Sequence, residues 1–205
     1  MSATRQTAVS PQDLSDEEKA ILLTLASMPA AYETDRIYFE KALFLLTRSG
    51  APELDALAES FEPYKKGPYS GSADDILLRL RDMSLLETTR MALSSAGRDT
   101  ASSLRKDPEF TGVVKLSDDM WKIFKEQGFT RRDILYLVYK LYPEFASQSE
   151  MSPKDIQSDR LEHYTIREGA IKEGAFAVVT SDKGNVMTVS KKGGRLTLLP
   201  KSRSQ

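Results

Sequence analysis

One stretch of the chain, residues 61–87, constrains the fold more than any other part. Its first ten residues contain two prolines and one glycine, which favour a tight turn with few backbone alternatives. Four side chains that often mediate binding lie on this turn: Tyr64, Lys65, Lys66 and Tyr69. Aromatic and cationic groups on a rigid turn suit either a protein contact or phosphate groups. The alternative interpretation is structural, with the tyrosines bracing the turn against the core and the lysines in solvent.

A helix follows this turn directly and begins at Ser70 or Ser72. Either serine can accept a hydrogen bond from an unpaired backbone N–H, and the acidic residues that follow suit the positive end of a helix. Apolar residues then recur at helical spacing and predict one buried face: Ile76, Leu77, Leu80 and Met83. The surrounding chain must supply the surface on which this face packs.

Three helices are predicted before the turn. Ser15 and Glu18 form a capping-box pattern ahead of a helix over residues 16–28. A run of apolar residues predicts a buried central helix over residues 35–47. Pro52 suits the first position of a short third helix, which leads into the turn.

The residues after the fourth helix complete a recognisable order of elements. Residues 85–93 favour a small β-ribbon around Arg90, and Ser94 or Ser95 then caps a helix that runs to Leu104. Helices followed by a ribbon are typical of a winged helix-turn-helix domain. The fourth helix would be the recognition helix of such a domain.

The second half of the chain continues as helices and then changes period. Residues 109–127 and 131–142 predict two apolar helices, and a mostly polar helix follows to about residue 172. Short β-prone runs separated by glycine turns then predict a hairpin or meander. The fold class is mainly α with a small β component. The predicted organisation has four parts: a flexible tail (1–14), a winged-helix-like domain (15–105), a helical extension packed on it (106–172) and a basic β-rich segment (173–205).

The charge distribution separates the end of the chain from the rest. The chain has a net charge of -1, but residues 183–205 carry six lysines and arginines and no acid, which leaves residues 1–182 at -7. An acidic body argues against a general polyanion binder, although a local nucleic-acid patch stays open. The sequence lacks cysteine, a signal-peptide core and an apolar run long enough to span a bilayer, so we expect a cytoplasmic protein with no membrane contact.

The sequence offers little support for catalysis. His163 is the one histidine, so a Ser-His-Asp arrangement would have to depend on it, and its neighbours are typical of a polar helix face. No metal-binding spacing or phosphate-binding loop is present. We therefore predict a non-enzymatic protein with no catalytic residues, no metal and no cofactor.

Two segments resemble a known group of prokaryotic proteins. Residues 61–70 (FEPYKKGPYS), together with the preceding helix segment 38–46 (YFEKALFLL), resemble the Panacea (SocA-like) antitoxin domain and, more closely, the YwgA-like proteins. Residues 135–146 (LYLVYKLYPEFA) with 149–151 are similar to a second hallmark of the YwgA-like group. The resemblance covers about residues 35–151. It implies a helical, winged-helix-like domain of regulators and of antitoxins that act by protein contact, without catalytic activity.

Two functional hypotheses follow. In the first, the protein is a regulatory or antitoxin-like protein that binds a protein partner through Tyr64, Lys65, Lys66 and Tyr69. In the second, it is a winged-helix DNA-binding transcription regulator, which would need to dimerise to build a useful footprint. The candidate nucleic-acid contacts of the second hypothesis are all cationic: Arg79, Arg81, Arg90, Lys191, Lys192 and Arg195. Asp74, Asp75 and Asp82 lie on the same predicted helix as two of these arginines, which disfavours its entry into a groove lined by phosphates.

Overall fold

The computed structural model describes residues 10–33, 36–126, 128–151, 164–169, 187–191 and 194–200. Seven α-helices lie in these ranges: α1 Asp16–Ser27, α2 Arg36–Thr47, α3 Asp55–Glu59, α4 Gly71–Asp82, α5 Ser95–Leu104, α6 Thr111–Glu126 and α7 Arg131–Leu141. Five strands accompany them: β1 Glu62–Tyr64, β2 Gly67–Tyr69, β3 Tyr164–Gly169, β4 Met187–Lys191 and β5 Gly194–Pro200. The predicted fold class, mainly α with a small β component, is confirmed.

Helices α1, α4, α5 and α7 begin where local capping chemistry predicts. Ser15 and Glu18 form a reciprocal capping box at α1, and Thr130 and Asp133 form another at α7. At α4 the cap is Ser70 rather than Ser72, because the Ser70 Oγ accepts a hydrogen bond from the Ala73 N–H at 3.0 Å. Ser70 also pairs with Ser60 at 2.6 Å, which ties the start of α4 to the end of α3.

The core is built around α1 and α2. Helix α1 packs against α4, α5 and α6, while α2 packs against α7 and β2. Residues 21–25 of α1 and 42–47 of α2 are buried almost without exception, which explains why neither helix shows a strong polar face. Trp121 of α6 is buried as well, and its indole N–H donates to the Thr24 carbonyl oxygen at 3.2 Å.

The ribbon predicted around Arg90 is present as a minimal hairpin. Leu86 and Leu93 form a single antiparallel bridge, and the Glu87 N–H donates to the Ala92 carbonyl oxygen at 2.8 Å. The Ser94 N–H donates to the Leu85 carbonyl oxygen at 3.0 Å, so the end of this hairpin leads directly into α5. The predicted order, in which α4 is followed by the ribbon and then by α5, is present in the structure.

Two predicted boundaries need correction. Residues 10–14, assigned to the flexible tail, form a 3-10 turn capped by Ser10, and Leu14 is buried because its apolar side chain joins the core. The prediction of a polar helix up to residue 172 is wrong for residues 164–169. These residues form strand β3, which pairs with β5. The β-rich segment thus begins by residue 164 rather than 173. The remainder of that helix, and the β-prone residues 176–186, lie outside the described residues.

The three C-terminal strands form one antiparallel sheet with β5 at its centre, in the order β3-β5-β4. Strands β4 and β5 make the predicted hairpin and pair from Met187 opposite Leu198 to Lys191 opposite Gly194. Strand β3 pairs with the other edge of β5, from Tyr164 opposite Pro200 to Gly169 opposite Arg195.

None of the helices in the described ranges combines the length and the apolar composition needed to cross a bilayer.

Candidate functional site

The turn predicted at residues 61–70 is a β-hairpin. Strands β1 and β2 pair from Glu62 opposite Tyr69 to Tyr64 opposite Gly67, which leaves Lys65 and Lys66 at the tip. Gly67 has a φ of 88°, a left-handed conformation that glycine adopts without strain. Glycine also fits because a Cβ at this position would lie 3.2 Å from the Tyr139 hydroxyl oxygen. The four predicted binding residues therefore lie together on one hairpin, called the hairpin surface below: Tyr64, Lys65, Lys66 and Tyr69.

A buried lysine holds the base of this hairpin. Lys41 of α2 is 1% exposed, and its ammonium group donates a hydrogen bond to the Pro68 carbonyl oxygen at 2.7 Å. The Glu40 carboxylate lies 3.7 Å from the same nitrogen. Burial lowers the pKa of Lys41 to about 8, and the nearby Glu40 charge only partly offsets this effect. One signal for this anchor is present in the sequence, a lysine within a largely apolar helix, but the predicted site does not include it.

A second anchor holds the tip of the hairpin from the other side. The Lys65 carbonyl oxygen accepts hydrogen bonds from the Glu150 N–H at 2.9 Å and from the Ser149 hydroxyl at 3.3 Å. Ser149 is in turn 2.6 Å from the Tyr139 hydroxyl. The Lys65 ammonium also pairs with the Glu150 carboxylate at 3.0 Å, which raises the pKa of Lys65. Both partners of this ion pair are exposed, so the backbone contacts contribute most of the anchoring.

The two tyrosines of the hairpin surface have different roles. Tyr69 donates its hydroxyl hydrogen to the Asp74 carboxylate at 2.9 Å, and Arg36 pairs with the same carboxylate. Tyr64 stacks on Tyr69 with a ring-centroid distance of 5.1 Å and keeps 46% of its surface exposed. Lys66 is exposed and forms no ion pair within the described part of the chain. Tyr64 and Lys66 are thus exposed to contact from outside, while Lys65 and Tyr69 contact other parts of the protein.

The arginines proposed for nucleic-acid contact already contact other parts of the protein. Arg79 lies 3.0 Å from the buried Glu18 carboxylate, and Arg81 donates to the Met91 sulfur at 3.3 Å. Arg90 donates two hydrogen bonds to Glu87 at 3.0 and 2.8 Å. A nucleic acid would have to compete with these contacts.

The outward face of α4 has an exposed leucine between two aspartates, beside the exposed Arg79. Leu78 is 56% exposed and lies between Asp75, one turn before it, and Asp82, one turn after it. Neither aspartate forms an ion pair with a residue in the described ranges. Two uncompensated carboxylates beside an exposed leucine would be repelled by a phosphate backbone.

The basic residues of the C-terminal sheet do not form one surface. Cross-strand partners lie on the same face of a sheet and successive residues lie on opposite faces. Lys191 is opposite Gly194 and Arg195 is opposite Ser190, so Lys191 and Arg195 are on opposite faces. Lys192 lies outside the described residues, as does His163.

A shallow concavity of about 650 Å³ lies between the end of α1 and α6. Asp118 lines this concavity. Arg105 donates two hydrogen bonds to the Asp118 carboxylate, at 2.9 and 2.7 Å. These bonds hold the pKa of Asp118 below its usual range, which makes that carboxylate a poor proton acceptor. Within the described ranges, no cluster of three or more histidine, cysteine or acidic side chains could hold a metal ion.

Comparison of this chain with protein-family models, with curated proteins and with solved structures finds no match.

Proposed function

We propose that this protein is a non-enzymatic regulatory or antitoxin-like protein of the cytoplasm that acts by binding a protein partner. The contact surface is the hairpin surface together with the outward face of α4. The observation that carries this proposal is the exposure of Tyr64 on a hairpin anchored from two sides. The resemblance to the Panacea and YwgA-like proteins, which rests on the same residues, supports it.

Exposed tyrosine is a favourable anchor for a protein interface. Tyrosine is enriched among the residues that dominate binding energy, because it buries a large apolar surface and also offers a hydroxyl group. The contacts of Lys41 and Glu150 with the hairpin backbone fix its conformation before binding. A preorganised surface loses less conformational entropy on association, which favours affinity.

The contacts of the cationic residues weigh against the alternative of a DNA-binding regulator. Groove recognition requires arginines and lysines that are free to reach phosphates and base edges. Arg79, Arg81 and Arg90 instead contact acidic or sulfur groups of the protein, and α4 presents Asp75 and Asp82 outward. A protein partner suits this surface better.

Affinity capture of the full-length protein from its native cells, with and without nuclease, tests the proposal. We compare the wild type with Tyr64→Ala and with Lys66→Glu. The control for the second variant is Lys122→Glu on α6, which makes the same charge change at an exposed lysine away from the hairpin surface. We expect one stoichiometric protein partner that survives nuclease treatment. Both hairpin variants should weaken binding of this partner at least about tenfold, because this is the effect of losing one interface hot spot. Lys122→Glu should leave the affinity unchanged.

Two results contradict the proposal. One is recovery of only nuclease-sensitive material, which would make this protein a DNA-binding regulator. The other is a protein partner whose affinity is equal for the wild type, Tyr64→Ala and Lys66→Glu, which would move the contact surface elsewhere.

A further inference from the structure

The tip of the hairpin is in direct contact with the segment that follows α7. Residues 147–151 are called the strap below. The Lys65 carbonyl oxygen accepts hydrogen bonds from two strap residues, from the Glu150 N–H at 2.9 Å and from the Ser149 hydroxyl at 3.3 Å. These bonds connect parts of the chain that are 84 or more positions apart in the sequence.

The Ser149 hydroxyl is the centre of this contact. It lies 2.6 Å from the Tyr139 hydroxyl of α7, and it accepts a hydrogen bond from the Met151 N–H at 3.1 Å. A hydroxyl has one hydrogen to donate. Because Ser149 donates to Lys65, Tyr139 is the donor in its pair with Ser149. A chain of hydrogen bonds therefore runs from α7 through the strap to the hairpin backbone.

The hairpin depends on such outside contacts, because its own ladder is short. Each strand has three residues, and Pro63 lies opposite Pro68, a pair that has no N–H to donate. Two-stranded hairpins on their own are marginally stable in water. Lys41 holds the base through the Pro68 carbonyl oxygen, and the strap holds the tip through the Lys65 carbonyl oxygen.

The contact between the strap and the hairpin is polar and close to solvent. Ser147, Gln148 and Glu150 of the strap are exposed, and so is Lys65 at the tip. Hydrogen bonds and exposed ion pairs contribute a small net free energy, because water replaces them when they break. Segments held in this way open locally at a lower free energy than the core.

We infer that the strap is a releasable latch for the hairpin surface. With the strap in place, as in this structure, the tip has one conformation and presents Tyr64 and Lys66 in a fixed arrangement. With the strap released, the tip loses its hydrogen bonds to Ser149 and Glu150 and samples several conformations. The strap directly precedes the chain that leads to β3, so a change in the residues after 151 reaches the hairpin through these bonds.

The consequence for binding rests on the function proposed above. A mobile tip loses more conformational entropy on association, so release of the strap weakens the binding of a partner. The coupling is reciprocal, and a partner that binds the fixed tip also stabilises the strap. The latch therefore regulates the hairpin surface without contributing a side chain to it.

Amide hydrogen exchange of the full-length protein tests the latch without a partner. We expect Ser149→Ala to raise the exchange rates of the amides in residues 62–69 about fivefold or more, because it removes the link between Tyr139 and Lys65. Ser147→Ala is the matched control, since its hydroxyl donates to the Glu144 carbonyl oxygen and not to the hairpin. It should leave these rates unchanged.

A double variant tests the order of the hydrogen-bond chain. Tyr139→Phe removes the donor to Ser149 and should raise the same exchange rates. Because Tyr139 acts through Ser149, Tyr139→Phe combined with Ser149→Ala should exchange no faster than the faster single variant. Equal exchange of the hairpin amides in Ser149→Ala and Ser147→Ala overturns the inference and leaves the function proposed for the hairpin surface intact.

The partner obtained by affinity capture tests the effect of the latch on binding. Ser149→Ala leaves Tyr64 and Lys66 in the chain and should still lower the affinity several-fold, whereas Ser147→Ala should not. Bound partner should slow exchange at the amides of the strap. Faster hairpin exchange in Ser149→Ala with an affinity equal to that of the wild type overturns the regulatory role of the strap. Absence of any protein partner contradicts the proposed function instead, and the exchange rates then decide the latch by themselves.

Discussion

Lys41 shows how a single residue can favour a local structure at the expense of overall stability. Its ammonium group is almost fully buried and donates to the Pro68 carbonyl oxygen, which would otherwise lack this partner beneath the hairpin. Burial of a charge is unfavourable, and the same burial lowers the pKa of Lys41. Lys41 therefore fixes the hairpin relative to α2, but its buried charge lowers the free energy of unfolding.

This penalty predicts a pH dependence of the free energy of unfolding. The pKa of Lys41 is 10.5 when unfolded and about 8 when folded, so between these values the unfolded chain binds more protons. Stability due to this residue is therefore lowest below pH 8 and rises above it, by about 2 kcal/mol between pH 7.5 and pH 9.5. Urea unfolding across that range measures the rise.

The control for this prediction is Lys41→Met, which has no titrating group and should remove the rise whatever its absolute stability. Buried tyrosines do not interfere in this range. The pKa values of Tyr139 and Tyr142 are raised by burial, so their ionisation reduces stability only above about pH 10. A wild-type stability that is flat or falling between pH 7.5 and pH 9.5 contradicts the assignment.

At the scale of elements, the start of α5 packs tightly against the backbone at the start of the β-ribbon. A Cβ on Gly97 would lie 2.0 Å from the Leu85 carbonyl oxygen, which is backbone and cannot rotate away. Gly97→Ala should therefore destabilise the protein by about 3 kcal/mol, at the upper end of overpacking effects. Gly71→Ala is the matched control, because a Cβ there meets nothing within 4 Å. It should be neutral or stabilising in denaturant unfolding. Equal stability of the two variants would show that α5 can shift without loss.

Elements defined by local chemistry could be predicted from the sequence, and elements defined by distant pairing could not. The starts of α1, α5 and α7 follow from Ser15, Ser94 and Thr130, whose caps involve residues only three positions away. Strand β3 was assigned to a helix because its structure depends on pairing with β5, about thirty residues later. Strands β1 and β2 were expected as a turn, since two prolines in six residues disfavour strands.

The same distinction applies to the candidate site. Tyr64, Lys65, Lys66 and Tyr69 could be grouped from the sequence because they are contiguous. Their division into exposed and anchoring residues could not, because it depends on Lys41, Asp74 and Glu150, which approach the hairpin only in the folded chain. The partners of Arg79 and Arg90 are also set by the fold, so their charges alone suggested a nucleic-acid surface that the contacts disfavour.

At the scale of the whole molecule, the proposed contact surface lies entirely in the helical body. The hairpin surface and α4 belong to residues 62–82, which pack on other helices and strands of residues 10–151. Independent action of this surface requires that the helical body fold without the C-terminal sheet.

A chain that ends after residue 151 tests this requirement. The core residues whose burial the structure describes lie between Leu14 and Phe145, so the truncated chain keeps all of them. We expect its free energy of unfolding to lie within about 1 kcal/mol of the body transition in the full chain, as for removal of an independent unit. A chain that ends at residue 130 is the control, since it loses α7 with the buried Val138 and Tyr142 and should fail to fold cooperatively. Loss of several kcal/mol in the longer truncation would instead show that the residues after 151 stabilise the helical body.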